Sequence, residues 1–240
     1  YTSALLTTKL SMSPWLALVF VILLGLLIGV GLGYPSLRIK GIYLALTTLG
    51  FSEIIRIVIN NLVNVTEGPT GVRNIPGFNF FGYDIKTARS YYYFLFLITI
   101  FLTFVALRII NSKWGRAIKA VRDNELAVEA CGIKLSTIKI FAFTLCCIYG
   151  CIGGAMYGHL IGYINPTDFA FDTSIRYLMM LMIGGIGSIP GNILGAFIVN
   201  MLPEVLRFLG NLYWLVFSII VLISSVLLPE GLISVIKRFE

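Results

Sequence analysis

The chain has 240 residues, of which 58% are hydrophobic and 12% charged, and it carries a formal net charge of +7. A mean hydropathy of +0.93 exceeds what a soluble globule of this size can bury, so a soluble domain is excluded and a polytopic membrane protein is implied. The basic residues stand beside apolar stretches instead of forming one face, which reads as membrane topology and contact with anionic lipid and excludes a nucleic-acid partner.

Apolar runs near the roughly 20 residues that cross about 30 Å of hydrocarbon occupy 14–34, 41–63, 91–110, 140–164 and 213–228. The first is too long for a signal-peptide core and has no small-x-small cleavage site, so it reads as a true span. Strands would show alternation, and these runs do not, so helices are expected. Segments 174–187 and 192–209, joined by GGIGSIPG at 184–191, form a hairpin that either spans or re-enters, the first being short for a full crossing. The expected fold is all-α: one transmembrane helical domain over 1–240 with about six to eight membrane segments, a Gly-rich broken or re-entrant hairpin and a charged segment at 112–139 outside the bilayer.

Positive residues orient the chain. One side takes Arg38, Lys40, Lys113, Arg116, Lys119, Arg122, Lys134, Lys139, Lys237 and Arg238, and the other takes Lys9, Arg73, Lys86 and Arg89. The positive-inside rule therefore puts 112–139 in the cytoplasm. The first span then runs inward, so an earlier crossing ahead of Tyr1 is expected.

Within the second span Glu53, Arg56 and Asn60 stand at i, i+3 and i+7 and share a helix face. Buried charge is costly in a bilayer, so this face turns to the bundle or a cavity. The two readings are an ion pair across one turn and a lining of a solute route. The turn-rich TEGPTG at 66–71, with Gly68 and Gly71, follows just outside, and then Arg73 and Pro76. No GKS or GKT follows any glycine cluster, so a phosphate-binding loop is excluded.

The segment 112–139 holds six Lys/Arg and three Asp/Glu in 28 residues. Apolar Ala117, Ile118 and Val121 alternate with Arg116, Lys119 and Asp123 at the spacing of a short amphipathic helix. That is the pattern of a docking surface for a soluble partner, or of a solvated linker that fixes topology.

In the fourth span Gly150, Gly154, Gly158 and Gly162 recur every fourth residue, with Ala142 and Cys146 extending the row. Such small-residue ridges let helix backbones approach in a membrane. His159, the single histidine, lies beside the ridge and reads as a hydrogen-bonded interface residue more readily than a proton carrier. Cys131, Cys146, Cys147 and Cys151 lack metal or redox spacing and read as small hydrophobes. Gly184, Gly185, Gly187 and Ser188 sit at the break of the hairpin, the place where irregular backbone at membrane depth lines a cavity or gate. Glu204 and Arg207 are one turn apart and are expected to pair. No nucleophile, metal cluster or phosphate cradle accompanies the carboxylates, so transport is read ahead of catalysis, driven by an attached engine or by an ion gradient.

The ordered motifs GIYLALTTLGFSEIIR, TEGPTG, GRAIKAVRDNELAVEACGI, GGAMYGHLIGYINP, GGIGSIPGNILGA, LPEVLR and LLPEGL resemble the LivM-type permeases of branched-chain amino acid ABC importers over residues 41–232. The resemblance implies a subunit without a catalytic site or bound cofactor of its own in the bacterial cytoplasmic (inner) membrane. Its implied partners are a second homologous permease, two cytoplasmic ATP-binding subunits that carry ATP and Mg, and an extracytoplasmic substrate-binding protein. The family's coupling segment matches at Gly115, Arg116, Ala117, Ala120, Arg122, Glu125, Ala127, Ala130, Gly132 and Ile133. A hydrophobic, branched-chain amino acid is the implied solute; urea, short amides and other amino acids are also handled by similar permeases. The chain departs from the pattern at Glu67, where the family commonly has Gly, and at Glu230, where it commonly has a basic residue.

Overall fold

The computed structural model describes residues 1–36, 41–80, 83–84, 87–205 and 219. The span expected at 213–228, apart from Ile219, lies outside the described residues, as do Arg38, Lys40, Lys86, Arg207, Glu230, Lys237, Arg238 and the LLPEGL motif. The chain divides into two compact units, 1–168 and 169–240.

The first unit is built from α1 (Thr2–Lys9), α2 (Pro14–Ser36), α3 (Ile42–Asn61), α4 (Val63–Thr66), α5 (Ala88–Ile110), α6 (Lys113–Asp123), α7 (Glu125–Ala130) and α8 (Leu135–Ile161). A two-residue antiparallel ladder, β1 (Asn79–Phe80) with β2 (Tyr83–Asp84), pairs Asn79 with Asp84 and Phe80 with Tyr83. Among the described residues four helices are long and apolar enough to cross a membrane, within α2, α3, α5 and α8, and they coincide with four of the five expected spans. At 1.5 Å per residue the 20 residues of α3 reach about 30 Å and the 27 of α8 about 40 Å.

The fourth span differs from its sequence boundaries. Helix α8 begins at Leu135 rather than at 140, which takes Lys139 out of the charged segment and into the second turn of the helix. It ends at Ile161 because Gly162 adopts the left-handed conformation (φ 73°, ψ 2°), its N–H donating to Gly158 O at 3.0 Å. Gly162 is thus the cap of the helix that carries the glycine row.

The tightest helix pair is α2 with α8, and it is made by glycines of α2. Gly25, Gly29 and Gly33 repeat every fourth residue and lie over Ile148, Thr144 and Ile140 in turn, so the helices run antiparallel. A Cβ on Gly29 would lie 2.5 Å from the Thr144 Cα, a distance only glycine permits. On the same assembly Phe78, Tyr91, Ile152 and Met156 form a buried cluster joined by Leu18, Ile22, Phe94 and Ile148. Large apolar side chains remain outward along α2, α3 and α5, as hydrocarbon-facing or partner-facing helices require.

The described part of the second unit is the hairpin of α9 (Phe171–Gly184) and α10 (Ile189–Val205). Its helices cross at glycine: a Cβ on Gly184 would lie 2.4 Å from Gly191 O, and one on Gly195 2.3 Å from Met180 O. Met180, Ile183 and Val199 are buried around that crossing. At 14 residues α9 reaches about 21 Å, short of a full crossing, in keeping with the length argued from sequence.

Candidate translocation and coupling elements

At the far end of α8 the TEGPTG loop and the strand-like chain after it fold down on the helix terminus. Thr66 ends α4, with its hydroxyl donating to Leu62 O at 2.9 Å, and Glu67 then turns left-handed at φ 62°. Gly68 rests on the end of α3, where a Cβ would meet Asn60 O at 2.9 Å. Gly71 (φ 67°) lies so close to residues 164 and 165 that a Cβ would stand 2.3 Å from Ile164 O. Val72 and Ile164 then exchange backbone hydrogen bonds of 2.9 and 3.1 Å, and Ile75 N donates to Gly162 O at 3.1 Å.

His159 fastens this cap segment from beneath and is 3% exposed. Its Nδ1 lies 2.6 Å from Pro76 O and its Nε2 2.7 Å from Ser3 Oγ. A carbonyl only accepts, so Nδ1 carries the proton and, in the neutral ring, Nε2 accepts from the serine. Phe78 packs on the imidazole with centroids 4.8 Å apart. Both ring nitrogens are engaged, which is the interface role read from sequence. Lys9 ties α1 to the same corner through Asn64 O at 3.2 Å and Val65 O.

Glu53, Arg56 and Asn60 all lie on α3 and are all partly exposed. Arg56 Nε donates to Glu53 Oε2 at 2.9 Å and its Nη2 donates to Oε1, a forked pair across one turn. The charges neutralise each other within their own helix, while Ile54, Ile55, Ile57 and Val58 around them face outward.

The charged segment is an elbow of two helices. Ser112 caps α6, accepting from Gly115 N at 3.4 Å and donating to Ile109 O at 2.6 Å. Gly115 is jammed against the last turn of α5, where a Cβ would lie 2.2 Å from Ile110 O. Asn124, extended at φ −157°, breaks the helix and caps α7 by accepting from Ala127 N at 3.2 Å. Left-handed Gly132 (φ 76°) turns the chain back, with Ile133 N donating to Val128 O at 3.3 Å. Ala117, Ile118 and Val121 are half-buried and Trp114 meets Phe141 of α8 at 4.9 Å, whereas Arg116, Lys119, Ala120 and Arg122 are exposed. Ala127, Ala130, Gly132 and Ile133 continue the exposed side, with Leu126 78% exposed. This is the amphipathic division expected from the spacing, with a break at Asn124 that periodicity alone missed.

In the hairpin unit Gly185 (φ 103°) and Gly187 (φ 92°) make the turn, and Ser188 begins α10 by accepting from Gly191 N at 3.2 Å. Gly184 packs inside the crossing, while Gly187 is exposed. Of the α8 row, Gly158 touches Ile164, whereas Gly150 and Gly154 have nothing within 4 Å of a Cβ position. The helix contact instead uses Gly25, Gly29 and Gly33, whose four-residue spacing in the first span was the signal available and unused.

The model of the branched-chain amino acid transport system / permease component family matches residues 1–226. The chain is 30% identical over 260 aligned residues to the high-affinity branched-chain amino acid transport system permease protein LivM of Escherichia coli (strain K12), covering 99% of this chain and 61% of that protein. The LivM of Salmonella typhimurium matches at the same identity and coverage. The autoinducer 2 import system permease protein LsrC of Yersinia enterocolitica is 26% identical over 224 residues, 87% of this chain and 59% of that protein. The chain thus spans about three fifths of the length of these relatives. No solved structure matches it significantly. The chain belongs to the family of branched-chain amino acid transport system permease components.

Proposed function

We propose that the chain is a membrane permease subunit of a bacterial ABC importer that carries a small hydrophobic, branched-chain amino acid into the cell. The observation that carries the reading is the match to LivM over 99% of the chain. In this reading the protein lies in the cytoplasmic membrane with a second permease, two ATP-binding subunits supply the energy, and an extracytoplasmic binding protein delivers the solute. Two features of the molecule support it: an elbow that offers Arg116, Ala120, Arg122 and Leu126 outward, and a glycine hairpin that breaks at Gly185 and Gly187. The elbow seats on an ATP-binding subunit, follows its nucleotide-driven closure and rocks the attached spans between outward and inward access. The 26% identity to LsrC makes autoinducer 2 the second solute to assay.

The test is co-purification of the full-length chain from its native membrane in mild detergent, followed by reconstitution with the proteins recovered. Two ATP-binding subunits, a second permease and ATP-dependent leucine, isoleucine or valine uptake are expected; recovery of the chain alone, with gradient-driven uptake, overturns the reading. Arg116→Glu or Arg122→Glu should lower uptake at least ten-fold while ATP hydrolysis continues.

A further inference from the structure

The elbow is a poor lever if it hangs on flexible chain, and both packing and polar contacts fasten it. Gly115 abuts the carbonyls of Ile109 and Ile110, and Trp114 leans on Phe141. Both hold α6. The shorter α7, beyond the break at Asn124, is held differently. Its first residue, Glu125, reaches the second turn of α8, where Lys139 Nζ donates to Glu125 Oε1 at 2.7 Å. Side-chain exposures of 32% and 25% place the pair between the helices rather than in free solvent.

We propose that the Glu125–Lys139 pair is a positioning strap that makes the α6–α7 elbow and α8 move as one body. Three features carry this. The pair bridges two helices 14 residues apart in sequence, so it constrains tertiary geometry in a way an i,i+4 pair cannot. Glu125 stands in the first turn of α7, where the helix dipole favours a carboxylate, and Lys139 sits where α8 enters its apolar run, so both charges gain from meeting. The far end of α8 is bonded to the cap segment through Val72, Ile75 and His159. Displacement of the elbow therefore reaches the opposite end of the bundle along one helix. The pair touches no solute; it acts through the elbow. The strap rests on the importer reading above.

The experiment uses the complete transporter in proteoliposomes and counts ATP hydrolysed per solute taken up. Lys139→Met and Glu125→Gln are each expected to raise that ratio about five-fold or more, with little change in the amount of complex recovered. The exchanged pair Glu125→Lys with Lys139→Glu should return the ratio at least halfway to wild type, a rescue that a purely structural or topological role for Lys139 would not give. Unchanged ratios in both single variants, or no rescue in intact exchanged complex, overturn the strap. Absence of ATP-coupled uptake in the wild-type complex would instead overturn the importer reading, so the two failures are separable.

Discussion

Glu67 and Gly71 are four residues apart and both have positive φ, yet they should respond to substitution with opposite signs. Glu67 is exposed and left-handed, and its conformation strains any residue with a Cβ; its hydrogen bonds are made by its backbone, the N–H donating to Val63 O at 3.0 Å and the carbonyl accepting from the Thr70 hydroxyl, and glycine keeps both. Glu67→Gly should stabilise the protein by about 0.5–1 kcal/mol, read as a higher midpoint of thermal unfolding in detergent. At Gly71 a Cβ has neither a permitted φ nor space beside Ile164 O, so Gly71→Ala should cost about 2 kcal/mol or more and lower the amount of folded protein recovered. The glycines of TEGPTG were legible as a turn from composition alone. Which of them is sterically compelled was not, because the clashing atoms belong to residues 164 and 165.

At the scale of elements, the four long helices and the amphipathic face of α6 were readable because a 3.6-residue period and run length are local properties. Boundaries moved where a single residue intervened: Asn124 split the charged segment, Gly162 stopped α8, and Lys139 joined a helix expected to start one residue later. Helix α3 carries a test of its two readings. Glu53 and Arg56 already neutralise each other on a helix whose apolar residues face outward, so losing the pair should not unfold the bundle. Glu53→Ala is therefore expected to reduce solute uptake several-fold at unchanged membrane abundance, by quantitative immunoblot beside transport; equal loss of both would assign the pair a structural role.

For the whole molecule, the decisive contact in the first unit is the antiparallel approach of α2 and α8 over Gly25, Gly29 and Gly33. Gly29→Leu should push the helices apart and cost about 3 kcal/mol or more, seen as loss of folded protein. Gly150→Leu, at a position with open space, should leave the isolated chain's unfolding midpoint unchanged; reduced recovery of the second permease proposed above would assign the Gly150–Gly154 side of α8 to that partner. Composition and the order of motifs determined by themselves that this is a helical membrane permease component, because hydropathy, span length and family signatures accumulate along the chain without reference to distant residues. They also determined that a charged amphipathic segment starts at Ser112, although its last five residues, 135–139, belong to α8. Only the tertiary structure decided which glycine row joins the helices, that His159 fastens Pro76 and Ser3, and that Glu125 meets Lys139. Each of those depends on which face of one helix is opposed by another, and a repeat of small residues is the same signal whether or not a neighbour fills it.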